Sequence, residues 1–240
     1  MSEPRPAGVA AVVDRVAAVR RRIAAAAGRA GRDPGEVTLV AVAKLQPLEA
    51  VRAAVAAGVP DIGENYAQEL ADRAAAVAGA RWHFVGRIQR NKAPVLVETR
   101  ALVHSLDSLP AARALGRRAH AAGAVARALV QVELDERQAA HGVPAASLDE
   151  FIAACGGVEG LQLEGLMLMP APAASPEDQR PLFRRLAELA KRLAPGMRAL
   201  SMGMTADFEV AVEEGATLVR VGTAIFGPRP TKKATKGGAG

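Results

Sequence analysis

The stretch Val37-Thr-Leu-Val-Ala-Val-Ala-Lys44 decides how the chain is read. Seven residues pass with almost no polar interruption, the pattern of a strand buried on both faces in a parallel sheet, and the run stops at a lysine. Working outward, seven more such runs lie over 61–63, 82–86, 101–105, 128–134, 161–169, 199–202 and 217–221, with starts roughly 18 to 38 residues apart. That spacing leaves room for a helix and two loops each time, so the strands are parallel neighbours joined by right-handed crossovers. Helical periodicity fills the intervals, as in Leu48, Val51 and Val55 or Leu182, Leu186, Leu189 and Leu193, and an amphipathic segment over 9–27 precedes the first strand. Eight such units predict an α/β fold, a single (β/α)8 TIM-type barrel with an extra N-terminal helix. An open doubly wound sheet is the alternative, but it ordinarily has a Gly-rich loop where this chain has Ala43-Lys44-Leu45.

We place the barrel over 9–229, between a disordered N-terminus over 1–8 and a disordered basic tail over 230–240. Half of the 240 residues are apolar but only 3% are aromatic, so the core is made of many small contacts. The formal net charge is +6, of which Arg229, Lys232, Lys233 and Lys236 supply four in a stretch without acids, leaving the body near neutral. This argues against nucleic acid as a partner. Arg81, Arg87, Arg90 and Lys92 form a basic cluster, which reads first as a solvated face. No run is long enough to span a membrane, and the single Cys155, at the end of an apolar helix, reads as a core residue. We expect a soluble, cytoplasmic protein. The segment Pro170-Ala-Pro-Ala-Ala-Ser-Pro176 reads as a loop with freedom to move.

In such a barrel the active site lies at the C-terminal ends of the strands, so polar residues ending apolar runs come first. Lys44 is one. Held among apolar neighbours, its amine is disposed toward the neutral form and toward a Schiff base with a carbonyl compound, although a strand-end lysine also simply reaches solvent. Leu200-Ser-Met-Gly-Met-Thr-Ala-Asp207 passes through Gly203 into a helix expected to begin near Thr205, with hydroxyls at Ser201 and Thr205. Val219-Arg-Val-Gly-Thr-Ala224 adds a second glycine and hydroxyl, Gly222 and Thr223. Loops after the seventh and eighth strands commonly bind phosphate. An aldehyde at one end and a phosphate at the other describe pyridoxal phosphate. Arg220 then faces the pyridine nitrogen; a group that can only donate leaves that nitrogen unprotonated and the ring a weak electron sink.

The runs Val40-Ala-Val-Ala-Lys44, Gly63-Glu-Asn-Tyr66, Trp82-His-Phe-Val-Gly-Arg-Ile-Gln-Arg-Asn-Lys92, His104-Ser-Leu-Asp107, Gly165-Leu-Met167, Ser201-Met-Gly-Met-Thr205 and Val219-Arg-Val-Gly-Thr-Ala-Ile-Phe-Gly227 resemble the YggS/PROSC family of pyridoxal phosphate homeostasis proteins. The resemblance implies the alanine racemase N-terminal barrel, with Lys44 as the cofactor lysine. It further implies Asn65 beside the ring, Ser201, Gly203, Thr205, Gly222 and Thr223 around the phosphate, and Arg220 at the pyridine nitrogen. Two positions depart from the family's pattern: Ala43 stands where many members have Ser, and His141 where a Lys or Arg is usual.

The function so implied is homeostasis of pyridoxal 5'-phosphate, held as a Lys44 aldimine and buffered or delivered, with apo enzymes that need it as candidate recipients. The alternative is an amino-acid racemase of the alanine type. Racemisation needs acid/base groups on both faces of the imine, and racemases of this type take one from a C-terminal β domain that we do not find in the sequence. A Schiff-base aldolase acting on a phosphosugar would share the lysine and the phosphate cup. His83, His104, His120 and His141 show no metal-ligand spacing, and we expect no metal, no catalytic residues and a monomer.

Overall fold

A computed structural model describes residues 8–135, 142–193 and 196–228. Nine strands occur among them: β1 Thr38–Val42, β2 Asp61–Glu64, β3 Arg81–Phe84, β4 Leu102–Leu106, β5 Ala126–Glu133, β6 Val143–Pro144, β7 Leu161–Met167, β8 Ala199–Ser201 and β9 Leu218–Val221. Eight of them close a ring in the order β1-β2-β3-β4-β5-β7-β8-β9, with β9 returning to β1, and every pairing is parallel. The expected barrel is therefore present, one short strand having gone unread. That strand, β6, pairs only with the end of β5, outside the ring; two residues are too few to leave a periodic signal.

The helices are α1 Val9–Arg29, α2 Leu48–Ala56, α3 Ala67–Ala76, α4 Ala93–Glu98, α5 Leu109–Ala121, α6 Leu148–Gly156, α7 Arg180–Leu193, α8 Phe208–Glu213 and α9 Thr223–Phe226. Side chains alternate between two cores. Ala41, Ile62, Phe84, Val103, Val130 and Val219 face the helical layer, whereas Val40, Leu102, Leu129, Met167 and Leu218 form a separate cluster inside the ring. The extra helix α1 buries Val12, Val16, Val19 and Ile23, spaced at three and four residues, against α2, α8 and α9. Arg22 and Arg29 tie it to Glu209 and Glu213 of α8.

Several local expectations are corrected. The helix expected near Thr205 starts at Phe208, because the Asp207 carboxylate accepts the Met204 N–H at 2.6 Å and holds a turn in front of it. The 170–176 loop is anchored: the Ala171 N–H donates to Asp135 at 2.9 Å, its carbonyl accepts from Gln179 at 2.6 Å, and Ser175 and Asp178 form a capping box. Arg81 is separated from the rest of its basic cluster, since it starts β3 while Arg90 and Lys92 follow that strand's other end. Cys155 is buried, which pushes its thiol up to about 11, in keeping with a core role. Residues 1–7, His141 and the tail from Arg229 onward lie outside the described residues. No helix among the described residues is long and apolar enough to cross a membrane.

Candidate cofactor site at the C-terminal mouth

β1 ends at Val42, and the chain then makes a turn in which the Gln46 N–H donates to the Ala43 carbonyl at 2.9 Å. Lys44 and Leu45 are its central residues, and Leu45 takes the left-handed φ of 62° that the second central position of such a turn demands. A leucine there is strained, and neighbouring side chains hold it. Its N–H donates to Glu69 at 3.2 Å, while Arg73 of α3 donates to the Ala43 carbonyl at 2.9 Å and to the Gln46 carbonyl at 2.6 Å. One guanidinium thus grips the turn on both sides of Lys44.

Arg73 is itself anchored on Glu64, the fully buried last residue of β2. Burial pushes the Glu64 carboxyl up to about 7 against the pull of Arg73, and its second oxygen has no hydrogen-bond partner. Neither residue was found from the sequence. The acidic end of Gly63-Glu-Asn-Tyr66 was the available signal, but its partner nine residues away becomes visible only once α3 packs on β2.

Lys44 opens into a cavity of about 300 Å³ whose wall includes Asn65, Thr205, Arg220, Gly222 and Thr223, with Val42, Val85 and Met169 as apolar surface. Six of the eight residues picked out from the sequence are therefore brought together. Asn65 follows β2 directly, and its Oδ1 is buried without a partner. The loops after β8 and β9 are stitched by the Gly222 N–H donating to Thr205 Oγ1 at 3.3 Å. A Cβ on Gly222 would sit 3.2 Å from the Val42 carbonyl, so the backbone approaches closely there.

The other two, Ser201 and Gly203, are not in the wall. Ser201 is fully buried and its hydroxyl lies between Arg220 at 2.6 Å and His104 at 2.8 Å. Gly203 serves the backbone: its φ is +86°, and its carbonyl accepts the Arg220 N–H at 3.0 Å. Arg220 spans the fully buried interior, donating also to the Leu168 carbonyl at 2.9 Å; burial lowers it to about 10 despite the nearby Asp207 carboxylate. Among the described residues lining this cavity only Lys44 and Arg220 are ionisable, and Tyr66, the single tyrosine, is 52% exposed outside it. No cluster of three metal-ligating side chains occurs among the described residues.

A barrel whose β1 leads to a lysine, and whose last two loops meet over a common cavity, is an architecture shared with known proteins. Residues 15–230 match the family described as alanine racemase, N-terminal domain, and the chain belongs to that family. Within it the chain stands with the pyridoxal phosphate homeostasis proteins. It is 41% identical to the Pseudomonas aeruginosa protein of that name over 220 residues, 91% of this chain and 96% of the relative. The structure of PipY from Synechococcus elongatus PCC7942, solved with PLP bound, superimposes with a TM-score of 0.77 at 33% identity, covering 90% of this chain and all of that one. Alanine racemase from Bartonella henselae, at 15% identity and a TM-score of 0.68 over 95% of this chain and 61% of its own, shows the shared fold.

Proposed function

We propose that the chain binds pyridoxal 5'-phosphate in the C-terminal cavity, holds it on Lys44, and buffers or delivers it without turning over a substrate. The observation that carries this reading is the convergence of Lys44, Asn65, Thr205, Arg220, Gly222 and Thr223 on one cavity. The donor set fits the cofactor. Two hydroxyls and the backbone close to Gly222 suit a phosphate, a guanidinium that only donates suits an aromatic nitrogen that accepts, and the unpartnered Asn65 Oδ1 supplies a polar contact that the protein itself does not use. When bound, pyridoxal phosphate supplies an aldehyde that condenses reversibly with an amine. Lys44 is the amine, Thr205 and Thr223 donate to the phosphate, and Arg220 presents a donor to the ring nitrogen without giving it a proton.

A carrier is favoured over a racemase because proton transfer on two faces needs a second acid/base group. Beside Lys44 the described cavity wall offers only a guanidinium, pinned by Ser201 and the Leu168 carbonyl. An apo enzyme requiring the cofactor is the natural recipient.

The test is the visible spectrum of purified protein before and after borohydride, with peptide mass mapping. A band abolished by reduction and a pyridoxyl mass on the Lys44 peptide, both lost in Lys44→Ala, are expected. Loaded protein should also reactivate an apo enzyme, and alanine enantiomers should not interconvert above the Lys44→Ala background. A protein that stays colourless in excess cofactor would overturn the reading.

A further inference from the structure

Arg220 is not an isolated cation. Its Nη1 donates to Ser201 Oγ at 2.6 Å, Ser201 Oγ lies 2.8 Å from His104 Nδ1, His104 Nε2 lies 2.9 Å from His83 Nδ1, and His83 Nε2 lies 3.0 Å from Asp61 Oδ1. The imidazoles meet edge to face, with centroids 5.1 Å apart. Asp61, His83, His104 and Ser201 are each at most 6% exposed. The chain climbs the inside of the ring: Asp61 stands opposite Arg81, His83 opposite Gly63 and Leu102, and His104 one inward position further along. It starts at the wall of the Lys44 cavity and ends in a second cavity of about 710 Å³ at the opposite mouth, lined by Asp61 and His83 together with Arg81 and Arg127.

Both ends fix the direction of the hydrogens. An arginine only donates, and an ionised carboxylate only accepts. Ser201 Oγ receives the Arg220 hydrogen and gives its own to His104 Nδ1; His104 then carries hydrogen on Nε2 and gives it to His83 Nδ1; His83 donates from Nε2 to Asp61. Every hydrogen is used once and both rings are neutral. The competing arrangement, with His83 as a cation donating to both neighbours, turns His104 Nδ1 into a donor and leaves the buried Ser201 hydroxyl hydrogen without an acceptor, a costly loss. The surroundings of the two ends fit these roles. Burial, with the Arg220 cation nearby, holds His104 well below its ordinary value, so this ring is neutral. Despite its burial, bonds from His83 and Arg81 hold Asp61 at about 2, so it is ionised.

We propose that this one-way relay, Arg220 to Ser201 to His104 to His83 to Asp61, orients the guanidinium toward the cofactor cavity, making Asp61 and His83 positioning residues that act from the far mouth of the barrel. The inference rests on the cofactor reading for its consequence, though not for its geometry. Asp207 contributes to the electrostatic balance of Arg220 but hydrogen-bonds the Met204 backbone, so it does not set the direction in which the guanidinium points.

Nitrogen-15 NMR of histidine-labelled, cofactor-free protein near neutral pH tests the relay directly. Both His83 and His104 are expected as neutral rings protonated at Nε2; an imidazolium at His83, or hydrogen on Nδ1 of His104, overturns it. The positioning role is read in Asp61→Asn loaded with pyridoxal phosphate. This variant should still be trapped at Lys44 but show a displaced absorption maximum and about threefold weaker retention. A folded variant with an unchanged spectrum and unchanged retention overturns that role. If the variant does not fold, His83→Gln is read the same way. Wild-type protein that takes up no cofactor would defeat the proposed function, and the NMR result would still decide the relay.

Discussion

Gly203 shows how much one residue decides at this site. Its φ of +86° is disfavoured for a side-chain-bearing residue, and an added Cβ would meet the Ala211 Cβ at 2.5 Å and the Phe208 Cα at 2.9 Å. Gly203→Ala should therefore destabilise the fold by about 2–4 kcal/mol, read from urea unfolding, and should loosen cofactor retention because the Gly203 carbonyl holds the Arg220 backbone. Glu64 makes a different kind of prediction. Its folded value of about 7 lies above its ordinary 4.5, so between those values the folded chain keeps a proton that the unfolded chain has released. The stabilisation from this group is complete below about pH 4.5 and is lost as the pH rises through 7, by at most about 3 kcal/mol. Unfolding midpoints at pH 5 and pH 8 should differ by less in Glu64→Gln than in the parent; an identical difference would show that Glu64 does not titrate there.

At the scale of elements, what the sequence yields is what is local along the chain. Strand-end residues such as Lys44 and Arg220 stand out because an apolar run stops at or contains them, and Gly222-Thr223 because a glycine beside a hydroxyl opens a helix. Ser201 shows the limit of that reading: the motif is recognisable, but whether its hydroxyl faces the cavity or the ring interior depends on strand alternation and on where β8 ends. His83 and His104 lie within strands, buried and hydrogen-bonded to each other. Their link to Asp61 and Ser201 depends on the register between strands, which no local pattern encodes. The same holds for the grip of α3 on the β1 turn. Replacing Arg73 by Met removes three bonds and leaves Glu64 buried without its partner, a loss of about 3 kcal/mol in stability. Arg73→Lys should rescue little of it, because one ammonium cannot reproduce the fork that reaches two carbonyls and a carboxylate. In both variants the yield of adduct trapped on Lys44 should fall.

For the molecule as a whole, the exposed large apolar residues among those described are Val9, Val13, Tyr66 and Val125, too few and too scattered to make a patch that needs covering. Sedimentation should therefore give a single species near the chain mass of 24.8 kDa, and a stable dimer would mean that residues outside the described set contribute an interface. The ring is also uneven. The β1–β9 ladder runs in register over four pairs, the β5–β7 ladder over six with a shift between Ala128 and Leu129, the β4–β5 closure joins Val103 to Ala128 and Leu106 to Val130 with a shift between them, and β8–β9 pairs only Ser201 with Leu218. Amide exchange should be faster along the β4–β5 closure than along the β1–β9 ladder, and the reverse order would show that the register shift does not weaken it.

The walls of the Lys44 cavity come from β9, β1 and the segments that follow β1, β2, β3, β7 and β8, which are consecutive neighbours around the ring; neither β4 nor β5 contributes. Loosening at the shifted β4–β5 ladder would therefore leave the wall of the Lys44 cavity intact.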